Sequence, residues 1–394
     1  MTLGSATNRL AFAAGATLRV GSSGDYAPFS VRDAAGTWTG FDVAVAQRLA
    51  TDLGRSAQFV PFHWADLMAQ LEAGGVDIVM SGVTVRPDRA VQVRFSRPYA
   101  VTGAVAVIRA RHRKRFADLA ALDHAGVRLA VNAGGHLEQV ARGRFPQAEI
   151  VPVADNRSLP DLLRKGGADA VISDDVEART WQGKFVVLGP FTRDVKAYVV
   201  PRGADDLCRR VNDWLAEREA DGWLNEQRKK FLGPQQERTP PQAGFEALAT
   251  SMYLRLQLMP FIAAVKRRDN LPIEDPAQEA RVLERVRSSA AAAGVQPNDA
   301  AEVFRVQIEI AKAVEHQSTA GAPLNASLDD LRGVVGILTD QTIAELARCL
   351  PWLGDTALRP QLERSMRDGL SGAVPEPLLA SLVTALEHVR HDSP

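Results

Sequence analysis

Four charged residues, Arg255, Lys266, Glu315 and Arg332, stand apart in otherwise apolar helical segments of the C-terminal part of the chain. Arg255 and Lys266 are eleven residues apart, about three turns at roughly 3.6 residues per turn, so on a continuous helix both point from one face. The segment between them, LQLMPFIAAV, is core-forming. Burying two cations there costs several kcal/mol unless an anion meets them, and one carboxylate at Glu315 is too little to balance three cations. A dianionic small molecule held inside a helical bundle would balance them.

The elements that must position these charges fall into two patterns. Residues 234–244, PQQERTPPQAG, read as a semi-extended linker after an amphipathic helix between Trp214 and Phe231. Beyond it the periodicity is helical throughout, which predicts an all-α domain over 245–394. Before it, strands and helices alternate. Strands are predicted at 18–23, 57–62 and 76–82 with helices at 41–53 and 65–73, then strands at 127–132, 149–153 and 168–173 with helices from about Leu137 and over 159–165. That order predicts an α/β domain over 17–233 with a mostly parallel sheet and two similar lobes, hence a cleft. Residues 1–16 read as a leader or a trimmed remnant.

Composition narrows the function classes. The 394 residues carry 47 Lys and Arg against 47 Asp and Glu, a formal net charge of zero. With no basic stripe in either half, nucleic acid is not an expected partner. The expected chain has no membrane-spanning run, and Cys208 and Cys349 lie in different domains, making neither a metal site nor a disulfide framework. No metal and no cofactor are expected.

The run from Lys266 through Asp275, Gln278 and Glu279, followed by Val303-Phe304-Arg-Val-Gln307-Ile308 and Glu315, resembles the all-helical chorismate mutases, above all their exported single-chain subclass. The resemblance implies that Arg255 and Arg332 hold the carboxylates of chorismate and that Lys266 reaches a carboxylate and the ether oxygen. Glu315 would be the second donor to that oxygen, and Asp275 and Glu279 would orient the ring hydroxyl side. Gln278 stands where many relatives have Arg. A Claisen rearrangement makes and breaks its bonds within one molecule, so the protein supplies a compact conformer and matched charge without a nucleophile or metal. Glu315 can donate only when protonated, so its pKa must be raised by burial.

Residues 17–233 carry a second resemblance. Gly24-Asp25-Tyr26-Ala-Pro28-Phe29, Gly40-Phe41-Asp42, Asp77-Ile-Val-Met-Ser81-Gly82-Val-Thr84 and Arg89 look like the periplasmic amino-acid-binding proteins of the type II fold. In that fold Tyr26 and Trp64 would sandwich an apolar side chain. Arg89 and the backbone donors of Gly82 and Thr84 would take a carboxylate, a task that suits an Arg fork.

Within that superfamily, Asn132-Ala-Gly134-Gly135-His136-Leu-Glu138 and Ser173-Asp174-Asp175-Val-Glu177-Ala-Arg179 resemble the cyclohexadienyl dehydratases, which convert prephenate to phenylpyruvate and arogenate to phenylalanine. The Gly134-Gly135 turn opens a helix whose free amides would form an anion site. Glu177 matches the family's general acid: the ring hydroxyl leaves only once protonated, so Glu177 must stay protonated near neutral pH, with burial and the Asp174 and Asp175 carboxylates raising its pKa. His136 stands where relatives usually have Thr, and Ala104 where they often have Lys.

The two resemblances interlock, because prephenate is the product of one and the substrate of the other. Together they imply a bifunctional enzyme acting on chorismate and prephenate, with arogenate as a further substrate and no strong channelling. Two other readings remain: an amino-acid receptor in which Asp174 meets the ligand ammonium, and a mutase joined to a phenylalanine-binding regulator. Both families are commonly exported, which implies a periplasmic or secreted protein, with the cytoplasm as the alternative. A homodimer is compatible with the single-chain subclass, whose site is built within one protomer.

Overall fold

The computed structural model describes residues 17–90, 92–234, 237–318, 327–370 and 374–392; the expected leader over 1–16 lies outside them. The chain divides into two compact units. The first comprises residues up to Thr84, Ala100–Trp214 and Glu226–Gln236, and the second Val85–Tyr99, Leu215–Asn225 and Glu237–Pro394.

In the first unit, short apolar runs punctuated by glycine form two sheets. One orders Ser56–Pro61, Thr17–Ser22, Ile78–Val79 and Val199–Pro201, with parallel register Val20 to Phe59 and Val20 to Ile78 and an antiparallel return at Val199. The other orders Glu149–Val153, Arg128–Asn132, Ala170–Asp174, Ala104–Arg109 and Phe185–Leu188. Its first three strands are parallel, and Ala104–Arg109 runs antiparallel to both of its neighbours. Continuous burial along Ala104–Arg109 and Ala170–Asp174 matches strands covered on both faces. Helices Phe41–Asp52, Leu67–Glu72, His136–Arg144 and Leu159–Lys165 supply the crossovers. A two-stranded ribbon, Ala100–Thr102 with Asp194–Lys196, completes the bilobal plan. The expected amphipathic helix between Trp214 and Phe231 is two helices, Asp205–Ala220 and Trp223–Phe231, parted at Gly222, whose φ of +80° ends the first.

The second unit is helical: Pro240–Gln257, Met259–Arg268, Pro276–Ala292, Pro297–Gln317, Leu328–Leu353, Arg359–Leu370 and Glu376–Glu387. Two departures from the sequence reading have the same cause, proline at a helix start. Thr239 caps the Gln242 amide and Pro240 and Pro241 occupy the first helical positions, so the end of the expected linker is already helix. Pro260, likewise near the start of its helix, breaks the segment that carries Arg255 and Lys266 at Leu258. The stretch Pro240–Arg268 is long and apolar enough to cross a membrane, against the expectation that no segment would be, yet 72% of its most apolar window is buried inside the protein. Its first helix is a core element: Phe245, Leu248, Met252 and Leu256 cluster with Phe304, Ile343 and Leu346.

Candidate active sites

The first site gathers at the ends of strands in the two lobes. Tyr26 is buried, and its ring meets Trp64 edge-on at 6.0 Å between centroids. Its hydroxyl donates to Asp174 Oδ2 at 2.9 Å. Burial first, and Asp174 second, hold the Tyr26 hydroxyl well above its ordinary pKa, so it stays a donor. Asp174 caps the short helix Asp175–Ala178 by accepting the Val176 amide, which turns Glu177 inward.

Glu177 is buried, and its carboxyl is held by two neighbours. Ser173 Oγ donates to Oε2 at 2.6 Å, and the Asn156 amide donates to Oε1. Asn156 also donates to the Asp25 carbonyl at 3.1 Å, which fixes its orientation. Burial pushes the Glu177 pKa up to about 8; the Asp174 and Asp25 charges act in the same direction, while the bonds from Ser173 and Asn156 oppose it. The group is therefore a carboxylic acid at neutral pH, the state a general acid requires.

Two expected amide donors are already committed. The Gly82 amide donates to Asp42 Oδ2 at 2.5 Å, a carboxylate also bound by Tyr198, so it is not a donor for a ligand carboxylate. The reason for glycine there is steric: φ is +61°, and a Cβ would stand 2.5 Å from the Tyr26 ring. Likewise the Gly134 amide donates to Glu138 at 2.7 Å instead of standing free at the helix start. Gly135 is the N-cap of His136–Arg144, and Gly134 has a φ of +74° and backs onto Ala65. Asn132 is buried at its strand end, with an Nδ2 that has no hydrogen-bond partner among the described residues. His136 Nε2 lies 3.0 Å from Asp194 Oδ1. Arg89 is buried in the short helix Pro87–Ala90, in the second unit.

Sequence reading missed the site's buried cation. Lys196, almost fully enclosed, places Nζ 3.0 Å from Asp174 Oδ2 and donates to Thr84 Oγ1 at 2.9 Å and to Tyr26 Oη at 3.2 Å. Thr102 Oγ1 adds a bond to Asp174 Oδ2 at 2.6 Å. Nothing in the local run Asp194-Val-Lys196 signals this, because its partners are remote in sequence.

The second site lies within the helical unit. One pocket is lined by Arg255, Lys266, Asp275, Gln278, Glu279, Glu315 and Arg332, so the break at Leu258 does not separate the predicted residues. Arg255 stacks over Phe304 with its guanidinium carbon 4.7 Å from the ring centroid and donates to Gln307 Oε1. Burial alone lowers its pKa to about 10, and its Nε has no partner among the described residues. Lys266 Nζ reaches Glu315 Oε2 and the Ile273 carbonyl, both at 2.8 Å. Burial raises the Glu315 pKa, and Lys266 opposes that rise. Asp275 caps the helix Pro276–Ala292 through the Gln278 amide and accepts Arg332 Nη2 at 2.8 Å. These two bonds outweigh burial and hold its pKa low.

Lys312, also missed from sequence, lines the same pocket, 3.6 Å from Glu279 and 2.6 Å from Glu309. It lay hidden in a helix face whose other charges are solvated. Four cations thus meet three carboxylates at the pocket wall, and one buried guanidinium nitrogen lacks a partner. The arrangement suits a small anion held by charge and hydrogen bonds.

Comparison with known proteins places both regions. Residues 18–234 match the bacterial extracellular solute-binding proteins, family 3, and residues 246–316 match chorismate mutase type II. The chain is 36% identical over 222 residues to cyclohexadienyl dehydratase of Pseudomonas aeruginosa (strain PAO1), spanning 55% of this chain and 82% of that protein. It is 31% identical over 222 residues to an L-cystine-binding protein of Escherichia coli (strain K12), spanning 55% of this chain and 83% of that one. Among solved structures, the ancestral amino acid-binding protein AncCDT-1, a precursor of cyclohexadienyl dehydratase, matches with a TM-score of 0.53 and 34% identity over 55% of this chain and 95% of its own. The chain belongs to the bacterial extracellular solute-binding proteins, family 3, and that domain is followed by a segment, 246–316, that matches chorismate mutase type II.

Proposed function

We propose that the protein is a bifunctional enzyme that converts chorismate to prephenate in its helical unit and prephenate to phenylpyruvate in its bilobal unit. The observation that carries the reading is Glu177: a buried carboxyl with a pKa of about 8, clasped by Ser173 and Asn156, in a domain akin to a dehydratase. A receptor needs no such acid.

In the helical unit, chorismate binds with its carboxylates toward Arg255 and Arg332. The ether C–O bond breaks as the new C–C bond forms, and charge growing on the ether oxygen is met by Lys266 and by protonated Glu315. Asp275 holds Arg332 in place, and Gln307 does the same for Arg255. Preorganised donors of this kind lower the barrier because they need not reorient during the reaction.

In the bilobal unit, Glu177 donates its proton to the ring hydroxyl of prephenate. The C–O bond breaks and water leaves; the bond to the ring carboxylate breaks, carbon dioxide leaves, and its electron pair completes the aromatic ring. Solvent returns the proton to Glu177. Tyr26 and Trp64, whose rings meet edge-on, offer the substrate ring an apolar wall, and Asn132 is the proposed partner of a carboxylate. Arogenate, which bears an amine in place of the keto oxygen of prephenate, is the second substrate. The small-molecule substrates are the proposed partners, no cofactor enters either step, and the family's extracellular character supports a periplasmic or secreted enzyme.

A second reading is favoured by Asp174 and by the L-cystine-binding relative: a mutase joined to a domain that binds an amino acid unchanged. A single time course with chorismate, at a pH where prephenate is stable in solution, separates them. Phenylpyruvate rising after a transient of prephenate supports the bifunctional enzyme. Prephenate that accumulates without phenylpyruvate supports the second reading, and unchanged chorismate refutes both.

A further inference from the structure

The carboxylate that would meet an amino group in the bilobal site is already fully engaged. Asp174 Oδ2 accepts from Tyr26 Oη at 2.9 Å and Thr102 Oγ1 at 2.6 Å and is ion-paired to Lys196 Nζ at 3.0 Å. Oδ1 accepts the Val176 amide at 3.2 Å. All three Nζ protons of Lys196 are used in turn, by Asp174, Thr84 and Tyr26. Its charge also faces the rings of Tyr26 and Phe29, at 5.5 and 5.8 Å from their centroids. Both members of the pair are essentially enclosed, with side chains 3% and 0% exposed, so solvent screens their attraction little.

A ligand ammonium brought to Asp174 would be a second cation on an oxygen that already has three donors. It would have to displace Lys196, leaving a buried ammonium without its counter-ion, which is costly. A keto group makes no such demand. It carries no charge and only accepts, so Lys196 and Tyr26 can stay where they are. Among the buried carboxylates of the described residues, the rival acceptor is Asp194, two residues before Lys196 in its strand, which gives Oδ1 to His136 Nε2 at 3.0 Å and whose Oδ2 has no hydrogen-bond partner among the described residues.

We infer that Lys196 is a selectivity residue that occupies Asp174 in place of a ligand amine and so sets the bilobal site for α-keto acids over α-amino acids, prephenate over arogenate. The choice of this substrate pair rests on the dehydratase reading. The site keeps the carboxylate an amino-acid receptor would use and fills it from within, a change of ligand class made by one side chain.

The test compares kcat/KM for prephenate and arogenate in the full chain and in Lys196→Met and Lys196→Arg, with calorimetric affinities for phenylpyruvate and phenylalanine measured on the same proteins and melting curves to confirm folding. The native enzyme is expected to favour prephenate at least tenfold. Lys196→Met frees Asp174 for an amine and shifts that ratio at least tenfold toward arogenate, while Lys196→Arg keeps the native order. Should Lys196→Met fail to fold, the native preference and Lys196→Arg still decide. A native preference for arogenate, or a ratio unmoved in folded Lys196→Met, overturns the inference and leaves dehydration standing. An arogenate preference lost in Asp194→Asn overturns it too and moves the amine contact to Asp194. If neither substrate turns over but phenylpyruvate binds in preference to phenylalanine and Lys196→Met reverses that order, the dehydratase reading fails and the selectivity of Lys196 is upheld.

Discussion

Glu177 and Glu315 are both buried carboxyls with raised pKa values, yet their surroundings differ in one respect. Glu177 is held by a hydroxyl and an amide, with carboxylates nearby and, among the described residues, no cation on it, and rises to about 8. Glu315 has Lys266 at 2.8 Å, which works against the rise. The contrast follows from the two reactions. Expelling a hydroxyl requires complete transfer of a proton, so the acid must be loaded and unpaired. A rearrangement needs only a donor beside an oxygen that gains partial charge, and there a lysine can share the task.

The comparison breaks most sharply at Glu177→Gln. The amide keeps the shape and can still accept from Ser173, but it has no proton to give. Dehydration is expected to fall by about 10³-fold, within the usual range for a general acid, while mutase turnover is unchanged. Separate assays of the two steps in one preparation check this. Equal losses in both would mean that the variant damages the fold instead of the chemistry.

Next in size is Lys266→Ala. Loss of one donor aimed at a developing oxyanion costs about 10² to 10³ in rate. The same change strands Glu315 as a buried carboxyl without its cation, so the helical unit should also lose about 3 kcal/mol or become less stable as pH rises and the acid ionises. Initial rates and denaturant curves at two pH values separate these effects. A tenfold smaller rate loss would show that Glu315 alone suffices as the donor.

The pH dependence sharpens the contrast further. Dehydration needs the protonated form of Glu177, so its rate should hold below pH about 8 and fall roughly tenfold per unit above it. Linkage has the matching sign: because the folded pKa exceeds the unfolded one, stability is greatest below the unfolded pKa near 4.5 and declines as pH rises toward 8. A flat rate profile through pH 9 would exclude Glu177 as the proton donor.

How far these sites were legible depended on whether their partners were local. The strand Arg128–Asn132 and the helix His136–Arg144 follow from an apolar run, a glycine turn and a helical pattern within a short stretch. The motif around Asp174 and Glu177 is also local, and its helix cap turns the acid inward. Lys196 is the opposite case, since its three partners come from separate segments and only the assembled fold makes it an active-site cation. Asn156 likewise looks like an ordinary loop residue until it bridges the Asp25 carbonyl and Glu177. Gly82 and Gly134 were recognised as special for the wrong reason. Their amides serve Asp42 and Glu138, and what demands glycine is a positive φ beside a tightly packed neighbour. Prolines 240 and 241 read as linker, whereas both sit in the first turn of a helix, where a missing N–H costs nothing; Pro260, read through as part of one continuous helix, instead starts a second one.

The smallest expected effect belongs to Glu315→Gln, and it isolates what the carboxyl contributes beyond shape. At acid pH the native side chain is protonated and donates as a glutamine amide would, so the two enzymes should differ by no more than about threefold. As pH rises, the native acid ionises, Lys266 is drawn to it, and the ether oxygen loses one donor while facing a new negative charge. Mutase activity of the native enzyme should therefore fall with pH, whereas Glu315→Gln keeps its donor and gives a flat profile between pH 5 and 9. The two curves should part progressively toward alkaline pH, with the variant the faster. Lys266→Gln measured beside it gives the sign control: with the cation gone, burial acts on Glu315 unopposed, its pKa moves further up, and whatever activity remains should fall off at a higher pH than in the native enzyme. A native profile as flat as that of Glu315→Gln would mean that Lys266 alone serves the ether oxygen and that Glu315 only anchors it.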